Sequence, residues 1–287
     1  MKPKDFKANY FKCRDFNIDL SKAPRIMGIL NVTPDSFSDA GVYFDKGRAL
    51  EHALQMQSEG ADIVDIGAES TRPGARSIGA ARQLKRIESI VKILGKKLKI
   101  PMSIDTGSSI VAKRCFDLGA SIINDVYALK KDNKLGKMIS RYKAGVVLMH
   151  MKKNPRTMQQ NPKYDNVILE IINFLDKAKQ KALEAGIPEE SIILDPGIGF
   201  SKTTEHNLKI INNLSEFKAL KSPILIGTSK KSFIGDVLHK QVNERGLGTA
   251  VSVVISVLNG ANVVRVHDVK QTKEALQLTW QITKQGL

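Results

Sequence analysis

Cysteine is scarce in this sequence of 287 residues, with only Cys13 and Cys115. Two thiols make no disulfide framework, so a reducing cytoplasm is the expected compartment. Neither has a second thiol or a histidine at metal-ligand spacing, and both read as packing or surface residues. Long apolar runs are scarce too. The longest, AVSVVISVLNGANVV, is broken by Ser, Asn and Gly and is too short to span a bilayer. The opening stretch, MKPKDFKANYFKCRDFN, is studded with charge and lacks the apolar centre of a signal peptide, so no membrane association is expected. Acidic residues are outnumbered 29 to 45, which leaves a net charge of +16. That excess invites a nucleic-acid reading, yet aromatics make up 6% and no RNP-type motif, zinc-finger spacing or basic zipper is present. The lysines fall in short clusters such as KKLK and KAKQK on polar helix faces, where they draw in anionic small molecules. No nucleic-acid partner is expected.

What the sequence does have is repetition. Short apolar, β-branched runs recur at 25–32, 62–69, 101–106, 121–126, 145–151, 192–197, 223–229 and 263–268. Near-continuous apolar character suits parallel strands covered on both faces. Between them lie stretches of helical periodicity, at 46–61, 80–98, 109–120, 134–144, 166–186, 205–220 and 245–261, with a last one at 270–285. Several end on Gly-Ala or Ala-Gly, which suits a helix C-terminus before the next strand. Eight strands alternating with helices predict an α/β fold, a (β/α)8 TIM barrel over 25–287. Residues 1–24 become a short N-terminal extension that packs on the barrel. A doubly wound open sheet is the alternative, but no glycine-rich dinucleotide fingerprint follows the first run.

A barrel gathers its chemistry at the C-terminal ends of its strands. Every run ends on polar groups: Asn31; Glu69 to Arg72; Asp105; Asn124; His150; Asp195; Ser229, Lys230 and Lys231; and Arg265, His267 and Asp268. Asp105, Asn124 and Asp195 offer acceptors and one amide donor in an apolar-walled pocket, and Lys231 adds a cation for a ring carbonyl. Buried carboxylates need partners, and the amino-imine edge of a guanine-like or pterin-like ring supplies them. The plainer alternative is that both aspartates cap helices. Arg265 and His267 alternate in RVHD and share a strand face, which suits a phosphate. Here the plainer alternative is an Arg paired with a loop carboxylate. Asn31 could lend an amide oxygen to Mg2+, with diphosphate oxygens and water completing the shell. No Asp and Glu cluster makes a protein-only metal cage. Two long polar loops, NVTPDSFSDAG (31–41) and ESTRPGARS (69–77), exceed a plain connection and read as a lid over a small aromatic substrate.

Taken in order, GILNVTPDSFSD, DIGAESTRPGA, SIDT, IIND, VVLMHMKKNPRTMQQNPKY, ILDPGIGF, SKKSFIG and RVHDV resemble the signature blocks of the dihydropteroate synthase family, from about residue 25 to the C-terminal helix. That resemblance implies condensation of (7,8-dihydropterin-6-yl)methyl diphosphate with p-aminobenzoate, giving 7,8-dihydropteroate and diphosphate. It implies that Asp105, Asn124, Asp195 and Lys231 hold the pterin, and that Thr71, Arg265 and His267 serve the diphosphate. Phe37, Pro73 and Ser232 would shape the p-aminobenzoate site, Asn31 would meet Mg2+, and Asp35, Asp105 and Lys231 would act in catalysis. Sulfonamides, which resemble p-aminobenzoate, are expected as competing ligands. A homodimer is implied as well, although no interface stripe stands out in the sequence. The chain departs from the family pattern at Lys230, where Arg is usual, and at Ser201 and Ala68, where Gly is usual. Two other enzyme readings remain: a pterin-binding methyltransferase domain, and a Schiff-base aldolase using Lys231.

Overall fold

The structure, a computed structural model, describes residues 10–32, 46–69, 78–153, 157–159 and 161–284. Burial of the strands on both faces sets its plan. Eight parallel strands, β3 (Arg25–Asn31), β4 (Ile63–Gly67), β5 (Met102–Asp105), β6 (Ile122–Asp125), β7 (Gly145–Met149), β8 (Ile192–Asp195), β9 (Leu225–Ile226) and β10 (Val263–Val266), pair in the order β8-β7-β6-β5-β4-β3-β10-β9. A parallel bridge between Leu194 and Ile224 joins the two ends of that order, so the sheet closes into a barrel. The expected (β/α)8 architecture is present.

Every second residue faces the surrounding helices: Ile26, Val64, Ile104, Ile123, Val146, Leu194, Ile226 and Val264 belong to the large core between strands and helices. The intervening residues Met27, Ile63, Ile122, Val147, Ile193, Leu225 and Val263 form a separate apolar cluster, the floor of the barrel lumen. A hairpin of β1 (Tyr10–Cys13) and β2 (Phe16–Asp19) packs Phe11 and Cys13 into that floor. Its approach is close. A Cβ on Gly145 would lie 2.4 Å from Phe11 Cζ, so the first residue of β7 has to be glycine.

The outer ring comprises α1 (Lys46–Ser58), α2 (Ala80–Lys97), α3 (Ser109–Asp117), α4 (Leu135–Arg141), α5 (Val167–Glu184), α6 (Thr204–Asn212), α7 (Ser232–Leu238), α8 (Gly246–Leu258) and α9 (Val269–Lys284). Gly60 and Gly119, just after α1 and α3, adopt φ of +99° and +106°, the left-handed turn that releases the chain towards the next strand. Three elements differ from the sequence reading. The helix expected at 205–220 stops at Asn213, whose Nδ2 donates to Lys209 O, and continues as a 3-10 turn over Leu214–Leu220. The strand expected at 223–229 pairs regularly only at Leu225–Ile226. After it comes α7, which the periodicity did not reveal. Gly235 within it makes room for Arg245, whose Nη1 donates to Lys230 O and Lys231 O and pins the chain around those lysines.

Candidate active site

Two residues above the lumen floor, the same inward-facing positions turn polar. Ile63 gives way to Asp65, Ile122 to Asn124, Ile193 to Asp195 and Val263 to Arg265, while β5 contributes Ser103 and then Asp105. Strand register sets the neighbours: Asp65 lies beside Ser103, and Asp105 beside both Gly67 and Asn124. These side chains interlock. Arg265 Nε donates to Asp65 Oδ2 at 2.7 Å, and its Nη2 reaches Asp105 Oδ2 at 3.4 Å. Asn124 Nδ2 donates to the same Asp65 oxygen at 3.0 Å. The Arg265 side chain keeps 20% exposure, so the guanidinium lies at the edge between buried carboxylates and solvent.

Burial decides the charge states. It pushes Asp105 up to about 7, against the Arg265 guanidinium, with Asp65 reinforcing the rise. It pushes Asp195 up to about 6, against the Gly197 N–H donated at 2.7 Å and the cations Lys231, Lys202 and Arg265. Burial opposes the charge of Arg265, but Asp65 and Asp105 outweigh it and raise the guanidinium further. Carboxylates held near neutrality in a concave site suit a ligand that presents N–H donors.

The helix-cap alternative fails for Asp105, because Ser108 caps α3 through Val111 N. Asp195 does bond the backbone of its own turn through Oδ1. The pairing of Arg265 with a loop carboxylate is also not what the fold contains; its partners are on strands β4 and β5. Lys231 N-caps α7, with its Nζ 4.2 Å from the centre of the Phe200 ring. The charge of Lys231 reaches Asp195. Ser232 begins α7 and is exposed. His267 meets Ser229: Ser229 Oγ accepts from His267 N at 3.2 Å and lies 2.9 Å from His267 Nδ1. If Ser229 Oγ gives its own proton to Nδ1, Nε2 is the ring donor. Asp35, Phe37, Thr71 and Pro73 lie outside the described residues, as does nearly all of both polar loops.

For a cation, Asn31 is the candidate ligand. It ends β3 half-buried, and a Cβ on Gly67 would sit 3.4 Å from its Oδ1, so glycine keeps that amide oxygen accessible. Among the described residues no group of three or more His, Cys, Asp or Glu could hold a metal. One neutral hard oxygen fits a Mg2+ that brings its remaining ligands from water and phosphate.

The sequence reading gave no role to two groups in this layer. Asp65, in DIVDIG, precedes the strand end and is signalled only by its two-residue offset from Ile63. Lys202 is buried behind Asp195, where its Nζ donates to Phe200 O at 2.9 Å and lies 2.9 Å from His150 Nδ1. Burial lowers its ammonium to about 7; Asp195 opposes that shift, while Lys231 and Lys152 add to it. Ser201, at a usual glycine position of the family, takes φ +53° and donates its Oγ proton to Lys152 O.

Residues 27–267 match the pterin binding enzyme family model. The dihydropteroate synthase of Haemophilus influenzae is 41% identical over 95% of this chain and 96% of its own. The Yersinia pestis dihydropteroate synthase, solved with a sulfonamide drug complex, superposes with a TM-score of 0.90 at 37% identity, covering 96% of this chain and 99% of that one. The Xanthomonas albilineans synthase, solved with 7,8-dihydropteroate, gives a TM-score of 0.85 at 33% identity, covering 96% and 98%. A polar rung of acid, amide, acid and guanidinium over an apolar floor, in a chain matched to these relatives nearly end to end, establishes that it belongs to the dihydropteroate synthase family of pterin-binding enzymes.

Proposed function

We propose that the chain condenses (7,8-dihydropterin-6-yl)methyl diphosphate with p-aminobenzoate, releasing 7,8-dihydropteroate and diphosphate. The observation that carries this reading is the interlocked set of Asp105, Asn124 and Arg265, with Asp195 at the same height of the lumen. Carboxylates and an amide oxygen receive the N–H edge of the pterin, and Lys231 meets its carbonyl. Arg265 and His267 take the diphosphate, the guanidinium by charge and His267 through Nε2. The C–O bond to diphosphate breaks first, and its electron pair leaves with the diphosphate. The pterin-methyl cation left behind is stabilised by its own ring and by Asp195, and the neutral aniline nitrogen then attacks it and passes a proton to solvent. Arg265 stabilises charge that grows as the leaving group departs, which is the contribution that accelerates such a step. Asn31 would hold Mg2+, which supplies charge neutralisation at the diphosphate when bound.

The finer roles of Asp35 as a catalytic carboxylate, Thr71 at the diphosphate, and Phe37, Pro73 and Ser232 around p-aminobenzoate rest on the family motifs. The same motifs support sulfonamides as competitors at that subsite. No described helix is long and apolar enough to cross a membrane. A cytoplasmic location is proposed from the two buried, unpaired thiols Cys13 and Cys115. A homodimer is proposed from an exposed apolar stripe on α8, Leu247, Val251, Ile255 and Leu258, beside Leu278 and Ile282 on α9. The test of function is direct: the protein, Mg2+, the dihydropterin diphosphate and labelled p-aminobenzoate should yield labelled dihydropteroate. Methyl transfer or borohydride trapping of Lys231, with no labelled product, would favour the other enzyme readings.

A further inference from the structure

Asp65 is a fully buried lumen carboxylate with no part in the chemistry above. We propose that Asp65 is a positioning residue whose single oxygen Oδ2 ties the pterin pocket to the diphosphate clamp. That oxygen accepts from Asn124 Nδ2 at 3.0 Å and from Arg265 Nε at 2.7 Å. A carboxylate paired with a guanidinium can only accept, so the amide of Asn124 has to turn its nitrogen towards Asp65. Its oxygen then faces the other way, as an acceptor for a ring N–H. The same anchor fixes Arg265. With Nε committed to Asp65, the terminal nitrogens carry the remaining donors, and Nη2 makes only a long 3.4 Å contact to Asp105. These are the nitrogens a diphosphate would meet.

Stability alone does not account for a carboxylate here. Ile29 is the register partner of Asp65 on β3, so an apolar residue is accommodated at this height. Asp65 Oδ1 is buried with no partner among the described residues, an arrangement that lowers stability compared with a packed apolar side chain. The carboxylate is retained at the junction of two ligand subsites.

The inference rests on the synthase reading for its ligands, and the experiment separates the two. Binding of 6-hydroxymethylpterin, which has the ring without the diphosphate, and of inorganic diphosphate with Mg2+ is measured by calorimetry on the full chain. Asp65→Leu, close in size but without an acceptor, should weaken ring binding roughly tenfold. In an Asn124→Ala background, at pH 8 or above where Asp105 is ionised with or without Asp65, the same change should have no further effect on the ring. Its effect on diphosphate should vanish in an Arg265→Ala background, because non-additivity marks residues that act through one another. Asp65→Asn keeps one oxygen for both donors and should restore ring affinity to within about threefold of wild type. If the Leu variant lacks a cooperative thermal transition, Asp65→Ser goes through the same cycles. Additive losses in both cycles, or a loss of tenfold or more in Asp65→Asn, overturn the proposal. A wild-type chain that binds neither probe overturns the functional reading and this assignment with it.

Discussion

Asp195 shares its buried surroundings with a second titrating group. Burial leaves its carboxyl at about 6, and the Lys202 ammonium close behind it at about 7. Under the proposed function, an ionised Asp195 offers Oδ2 to a ring N–H while Oδ1 holds Gly197 N–H, whereas a protonated one gives up an acceptor. Asp105, pushed up to about 7 and faced by Arg265, Asp65, Glu69 and Asp125, follows the same rule. Ring affinity should therefore be level above neutrality and fall as pH drops through about 7 to 6, by about tenfold per unit for each proton taken up. Lys202→Met tests the coupling. The cation favours the ionised form of Asp195, so removing it raises that pKa and moves the acid limb to higher pH. Calorimetry of 6-hydroxymethylpterin between pH 5 and 8 reads the midpoint; no shift, or a shift to lower pH, would show that Lys202 does not act on Asp195.

The contact between α2 and the turn after α3 depends on one missing side chain. A Cβ on Gly95 of α2 would lie 2.1 Å from Leu118 O, which is backbone and cannot yield as a flexible side chain would. Alanine is the better helix former by about 1 kcal/mol. Overpacking at a rigid contact costs about 1–3 kcal/mol, so Gly95→Ala should destabilise on balance. Urea denaturation reads the result, and a higher midpoint would mean that the helices separate easily. Much at this scale was legible beforehand. All eight strands and most helices announced themselves by period, because a strand covered on both faces must be apolar throughout. The exceptions have local causes. Strand β9 pairs regularly over two residues, α7 is seven residues long with a central glycine, and Asn213 ends a helix whose periodicity continues beyond it. In the site, Asp105, Asn124, Asp195 and Arg265 were legible because they lie at or near the C-terminal ends of apolar runs. Asp65 was not, since it sits inside its run and is polar only because it faces the lumen. Lys202 follows its strand by several residues, and only the fold places it against His150.

At the scale of the molecule, α8 carries the longest apolar run of the sequence, yet Leu247 is 75% and Leu258 57% exposed. The spacing of Leu247, Val251, Ile255 and Leu258 puts them on one helix face, so the sequence concealed a stripe within a helix that is apolar nearly all round. The proposed homodimer predicts that Leu247→Glu combined with Val251→Glu shifts the protein from dimer to monomer in sedimentation at micromolar concentration. A wild-type chain that sediments as a monomer would end that reading. The N-terminal hairpin has a consequence of another kind. Phe11 and Cys13 stopper the lower end of the lumen, with Phe11 so close to Gly145 that no side chain fits between them. Among the described residues the lumen is thus closed at its lower end, which leaves the strand C-terminal end for entry. Whatever lies deepest must arrive first and depart last. Under the proposed function, a pterin ring seated on Asn124 and Asp195 would enter ahead of the aromatic amine, and the joined product, anchored by that same ring, would be the last to leave.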